Sequence, residues 1–192
     1  MAISLSKGGS ISLTKAAGPV PVNIVQVRLG WQPAASGREF DLDASMLLLD
    51  GAGRTSNHDD FVFYNNLVHD SGAVVHAGDS LVGGEADDEV ITVTLQQLPA
   101  RVQRAVVLVT IHEASQRGQH FGLVNDAYIR VVNMTNDQEL ARFDLTQGAN
   151  GEDCLAFAEL YRDGAEWGFA ALGEYHRGAL GGALADYGLD AK

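Results

Sequence analysis

A chain of 192 residues with 13 Lys and Arg against 25 Asp and Glu carries a formal net charge of −12; such a field repels nucleic-acid phosphates and anionic lipid head groups and argues against either as a direct partner. With 46% hydrophobic and 20% charged residues, the composition is that of one globular domain over 1–192, large enough to bury a core without disulfides. No run approaches the roughly 20 apolar residues of a transmembrane segment, no signal-peptide pattern opens the chain, and the single Cys154 reads as a small buried hydrophobe, so a reducing, cytoplasmic setting is expected.

The predicted elements are mostly strands. Ile3-Ser4-Leu5-Ser6-Lys7 and Ile11-Ser12-Leu13-Thr14-Lys15 are near copies on either side of Gly8-Gly9, and their apolar–polar alternation predicts a hairpin or paired edge ribbon. Residues 24–29 place Val25, Val27 and Leu29 on one face; in the next run Leu42, Ala44 and Met46 alternate with Asp41, Asp43 and Ser45. Residues 61–64 are short and aromatic. Ile91, Val93 and Leu95 alternate with Thr92 and Thr94, and residues 105–111 are apolar on both faces, as a central strand is. Residues 128–132 and 140–145 flank a turn-forming stretch, while 157–161 and 167–171 flank Arg162-Asp163-Gly164-Ala165, a hairpin with Asp-Gly at its turn. Helical pattern is confined to residues 179–187, where Leu180 and Leu184 stand at i,i+4 and Gly181-Gly182 weakens the helix. The expected fold is all-β: a β-sandwich of two mainly antiparallel sheets with acidic loops and a short C-terminal helix. Trp31, Phe40, Phe61, Phe63 and Trp167 read as core.

Charge is unevenly placed. Between Thr55 and Ala100 there is no Lys or Arg, whereas Asp59, Asp60, Asp70, Asp79, Glu85, Asp87, Asp88 and Glu89 all fall there. A solvated acidic face is the plain explanation. Two features favour a cation instead. The carboxylates crowd together without counter-charges, and crowded carboxylates repel unless protonated or neutralised. They also stand among glycines, which let a backbone fold tightly around a small ion. Hard oxygen donors without nearby thiols point to calcium rather than zinc or copper. Asp41 and Asp43, two apart in a strand, project to one side while Leu42 and Ala44 face the core; residues 79–89 or the His58-Asp59-Asp60 turn then complete the shell.

These residues also carry a resemblance. Ser4-Leu5-Ser6-Lys7-Gly8-Gly9, Leu29-Gly30-Trp31, Phe40-Asp41-Leu42-Asp43-Ala44-Ser45 and Asp60-Phe61-Val62-Phe63-Tyr64-Asn65-Asn66 are followed by Gly78-Asp79 and Asp87-Asp88-Glu89. Ile129-Arg130-Val131-Val132-Asn133, Glu139-Leu140-Ala141-Arg142-Phe143-Asp144-Leu145 and Glu159-Leu160-Tyr161-Arg162 come later. In this order and spacing the chain resembles the TerD family of bacterial tellurium-resistance and general-stress proteins. The resemblance implies a calcium-binding β-sandwich without established catalysis, acting in tellurite resistance with other tellurium-resistance proteins, in a complex at the inner membrane face. Carried over residue by residue, it assigns Ca2+ to Asp41, Asp43, Asp60, Asn66, Asp79, Asp87, Asp88 and Glu89. The chain departs from the family pattern at Gln32, at Ser80 and in a shorter stretch before Asp87, which leaves one ion site better supplied than two.

Two other classes compete. A carboxylate-dependent hydrolase, or a small-ligand or nucleotide-binding module, fits the same sandwich, but no nucleophile elbow, P-loop or dinucleotide fingerprint is present. Direct capture of tellurium by Cys154 or the scattered histidines would rest on a poor soft-ligand set.

Overall fold

The structure, a computed structural model, describes residues 2–32, 40–55, 57–78, 87–145 and 151–190. Its strands are β1 (Ile3–Leu5), β2 (Ser10–Ser12), β3 (Ile24–Gln32), β4 (Leu42–Leu49), β5 (Phe61–Val62) and β6 (Val74–His76), then β7 (Glu89–Thr94), β8 (Arg104–Ile111), β9 (Asn125–Asn133), β10 (Gln138–Asp144), β11 (Cys154–Asp163) and β12 (Glu166–His176). Three helices join them: α1 (Leu13–Ala17), α2 (Ala114–Arg117) and α3 (Ala179–Asp186). Among the described residues the strands form two six-stranded sheets, ordered β1-β10-β9-β3-β7-β6 and β2-β12-β11-β8-β4-β5. Only the β1–β10 pairing is parallel. The expected sandwich of mainly antiparallel sheets with a C-terminal helix is therefore present.

Alternation explains the packing. Val25, Val27 and Leu29 of β3 and Ile91 and Val93 of β7 face Leu42, Ala44 and Met46 of β4 and Val107 and Val109 of β8 across one continuous core. Each large aliphatic side chain buried there is worth about 1.5–3 kcal/mol relative to exposure. A second apolar layer lies on the outer face of β4, β8 and β11, where Leu47, Val106, Leu108 and Cys154 meet Ala183 and Leu184 of α3. That cover is why residues 105–111 are apolar on both faces. Gly164, at φ 60°, makes the left-handed turn of the β11–β12 hairpin.

The N-terminal expectation is corrected. The two near copies do not pair with each other: β1 adds to β10 and β2 adds antiparallel to β12, in different sheets. Gly8 turns the chain at φ 80°, with Gly8 N–H and Gly9 C=O bonded to Ala171 of β12. A three-residue hairpin alone buries too little to persist, whereas extending two existing edges packs Leu5 and Ile11 against the core and buries Leu13. Leu13-Thr14-Lys15 is helical rather than extended, because Ser12 Oγ accepts the Lys15 N–H at 3.3 Å and caps α1. Strand β6 had no sequence signal strong enough to mark it.

Candidate functional site

Strand direction decides which acids meet. β4 and β7 begin where β8 and β3 finish, since Leu42 pairs with Ile111 and Leu29 with Glu89. Asp41 directly precedes β4 and is 7% exposed; its carbonyl accepts the His112 N–H at 2.9 Å. Asp43 is half-buried in β4, its Oδ2 3.8 Å from His112 Nδ1. On the other sheet, Asp88 Oδ2 accepts the Trp31 N–H at 3.1 Å, and the indole Nε1–H of Trp31 donates to Phe40 O at 2.9 Å. The fully buried Trp31 thus ties Asp88 to the residue before Asp41.

His76 makes a second tie. Its Nδ1 accepts the Gly78 N–H at 3.0 Å, so the neutral ring carries its proton on Nε2. That nitrogen lies 2.9 Å from Ala44 O and 3.2 Å from Glu89 Oε2, joining the end of β6 to β4 and β7. The His76 and Glu89 side chains are each 1% exposed. Asp41, Asp43, Asp88 and Glu89 therefore share one end of the sandwich. Among the described residues, no three His, Cys, Asp or Glu side chains already converge as a metal cluster.

The remaining sequence-assigned residues behave differently. Asp87 sends its carboxylate to the outer face of its sheet, where Arg28 donates at 3.1 Å and Arg130 makes a fork at 2.8 and 2.5 Å. Arg130 also donates to Glu139 at 2.7 Å, and the Asp87 bond raises the Arg130 pKa above its ordinary value. Asp60, fully buried at the end of a 3-10 turn, accepts a guanidinium fork from Arg101 at 2.8 and 2.6 Å, the Thr55 hydroxyl at 2.6 Å and His69 Nε2 at 3.2 Å. Asn66 closes a tight turn: its backbone pairs with Phe63, and its amide donates to Phe61 O at 2.8 Å. Asp79 lies outside the described residues. The structure therefore sets Asp60 beside Arg101, turns the Asp87 carboxylate to Arg28 and Arg130, and holds Asn66 in the turn with Phe63, apart from the four acids at the sandwich end.

Sequence reasoning missed His76, Trp31 as a tie, and the arginine partners. Arg28 and Arg130 carried a usable signal, each the one cation in its strand. Cys154 is fully buried under α3, and burial pushes its thiol up to about 12, so it stays protonated at neutral pH and is a poor soft-metal ligand.

Comparison with known proteins follows this architecture. The TerD domain profile matches residues 1–187. The chain is 46% identical over 193 residues to the tellurium resistance protein TerD of Serratia marcescens, covering all of both chains. It is 43% identical over 192 residues to general stress protein 16U of Bacillus subtilis, covering 98% of each. A crystal structure of a homologue of telluride resistance protein from Streptomyces coelicolor A3(2) superimposes with a TM-score of 0.62 at 24% identity, over 83% of this chain and 94% of that one; this shows the fold.

Proposed function

The chain belongs to the TerD family of tellurium-resistance and stress-response proteins, and on that premise we propose that it is a calcium-binding, non-catalytic module. In this reading the ion fixes the acid-rich end of the sandwich, which docks other tellurium-resistance proteins in a complex at the inner membrane face. No helix among the described residues is long and apolar enough to cross a membrane, so such attachment runs through a protein partner.

The observation that supports the reading is that two acid pairs from different sheets, Asp41/Asp43 and Asp88/Glu89, stand at the same end of the sandwich, where Trp31 and His76 tie the two sheets together. Carboxylate oxygens suit calcium in kind, and the bound ion neutralises charges that otherwise repel. Asp41, Asp43, Asp88 and Glu89 would hold it, with Asp79 joining them from the sequence pattern. Asp60 and Asp87 leave the proposed set because arginines already match their charge; Asn66 leaves it because it sits in the Phe63 turn, away from that end.

A hydrolase finds weaker support. Ser71 Oγ, His69 and Asp60 align, with Oγ 2.8 Å from Nδ1 and Nε2 3.2 Å from Asp60 Oδ1. The same Oγ accepts the Ala73 N–H and the same Nδ1 accepts the Ser71 N–H, which is a turn motif. Asp60 already balances Arg101, so little of its charge remains to stabilise an imidazolium.

The test is calcium titration of chelator-stripped protein by calorimetry, paired with thermal melts. Saturable binding is expected, and calcium at 100 times its dissociation constant should add about 2.7 kcal/mol of stability. Magnesium, with stricter octahedral demands, should substitute poorly. No binding heat together with an unchanged melting temperature refutes the proposal.

A further inference from the structure

The opposite end of the sandwich holds a cavity of about 410 Å³ among α1, the 3-10 turn after β7 and the β11–β12 hairpin. Its walls include Leu13, Val22, Leu95, Leu98 and Trp167, and its charged lining residues are Arg162 and Glu166. The volume is in the range of small-molecule sites, which combine apolar side chains with a few placed polar groups; here the exposed lining is mixed, somewhat more polar than apolar.

Arg162 is held in place. It pairs across the hairpin with Trp167, its guanidinium carbon lies 4.5 Å from the centre of the indole, and its Nε donates to Val102 O at 3.1 Å. Stacking and the single Nε bond fix the plane of the fork and leave the two terminal nitrogens for another acceptor. Arg28, Arg101, Arg104, Arg130 and Arg142 are each paired with a carboxylate. Among the described residues none pairs with Arg162, in a chain with twelve excess negative charges. Glu166, the acid that lines the cavity, is exposed and accepts from Ser12 Oγ at 3.4 Å.

We infer that this cavity binds a small organic anion, a carboxylate or phosphate monoester carrying an apolar body, with Arg162 taking the anion through its terminal nitrogens and Leu13, Leu95, Leu98 and Trp167 covering the body. A fixed planar fork matches two oxygens of such a group. A bare inorganic oxyanion would gain the fork but none of the apolar contact with Leu13, Leu95, Leu98 and Trp167, and is disfavoured. The site is independent of the acid-rich end, which lies at the other ends of β7 and β8.

Phenyl phosphate and phenylacetate are the probes, with inorganic phosphate, benzamide and benzylamine as contrasts. Trp167 reports by fluorescence, since Trp31 is buried at the far end. Saturable quenching is expected with the two aromatic anions and not with the contrasts. Arg162→Gln should weaken binding by roughly tenfold or more, and Arg162→Lys by less, because a charged hydrogen-bonded pair is lost or loosened. Glu166→Gln should tighten binding by removing a like charge. Amide shifts in the unaltered protein, which need no folded variant, should cluster at residues 13–14, 95–98 and 162–167. Absent saturation, shifts elsewhere, unchanged affinity in a folded Arg162→Gln protein, equal binding of inorganic phosphate, or preference for benzylamine would each overturn the inference.

Discussion

Asp60 and Asp88 are both buried acids in the cation-free stretch of the chain, yet their surroundings differ in kind. Asp60 faces a guanidinium fork, a hydroxyl and an imidazole; Asp88 accepts the uncharged Trp31 N–H and precedes β7 at the end of the sandwich where Asp41 precedes β4. The first carboxylate has its charge matched within the protein. The second lies at the sandwich end where acids of two sheets are found, the end that the proposed calcium ion would occupy. Acidic residues that look alike in sequence thus separate into stabilising partners and candidate ligands only when their cations are located.

Removing Asp60 tests the first half of that contrast hardest. Asp60→Ala should cost about 2–3 kcal/mol in urea unfolding, because it removes the acceptor of Thr55 and His69 as well as of Arg101, which is half exposed and keeps its water. A loss below about 1 kcal/mol, the level of an exposed pair, would erase the distinction. Next, Asp88→Asn should weaken calcium binding at least tenfold, or about 1.4 kcal/mol, while Asp60→Asn leaves calorimetric affinity unchanged; equal losses in both would merge the two regions. Arg130→Gln should destabilise by about 1 kcal/mol, and Arg28→Gln by less, because Arg130 makes the fork to Asp87 and Arg28 one bond.

The smallest effect is a pH dependence. Burial alone raises the Asp60 carboxyl, but hydrogen bonds from Arg101, Thr55 and His69 outweigh it and hold the group below the usual 3.8. Its stabilisation is therefore complete above the unfolded value and is lost as pH falls through the lower folded value. Unfolding free energy should drop below about pH 4 in the natural chain, and Asp60→Asn should lack that component. Identical acid profiles would remove Asp60 from the account.

Strands with one buried face were legible, because a period of two leaves a pattern that any window can register. Val25, Val27 and Leu29 of β3, and Ile91 and Val93 of β7, are buried as that pattern requires. The doubly covered β8 was equally readable from its unbroken apolar run. The near copies at the N-terminus misled, since local alternation marks strands without saying which edge each will join. Of the assigned ligands, Asp41 and Asp88 precede β4 and β7 at one end of the sandwich, while Asp60 and Asp87 have partners 41 residues away in Arg101 and 59 and 43 residues away in Arg28 and Arg130.

The amino-acid order by itself determined the all-β class, the main hairpins, the closing helix and the excess of acid in the first half. Each of these depends on neighbours within a few residues or on a simple sum of charges. Which carboxylate meets an arginine, and which arginine lines a cavity, were decided by the stacking of two sheets. Side-chain charges interact over a few ångströms, and only the folded arrangement sets those distances.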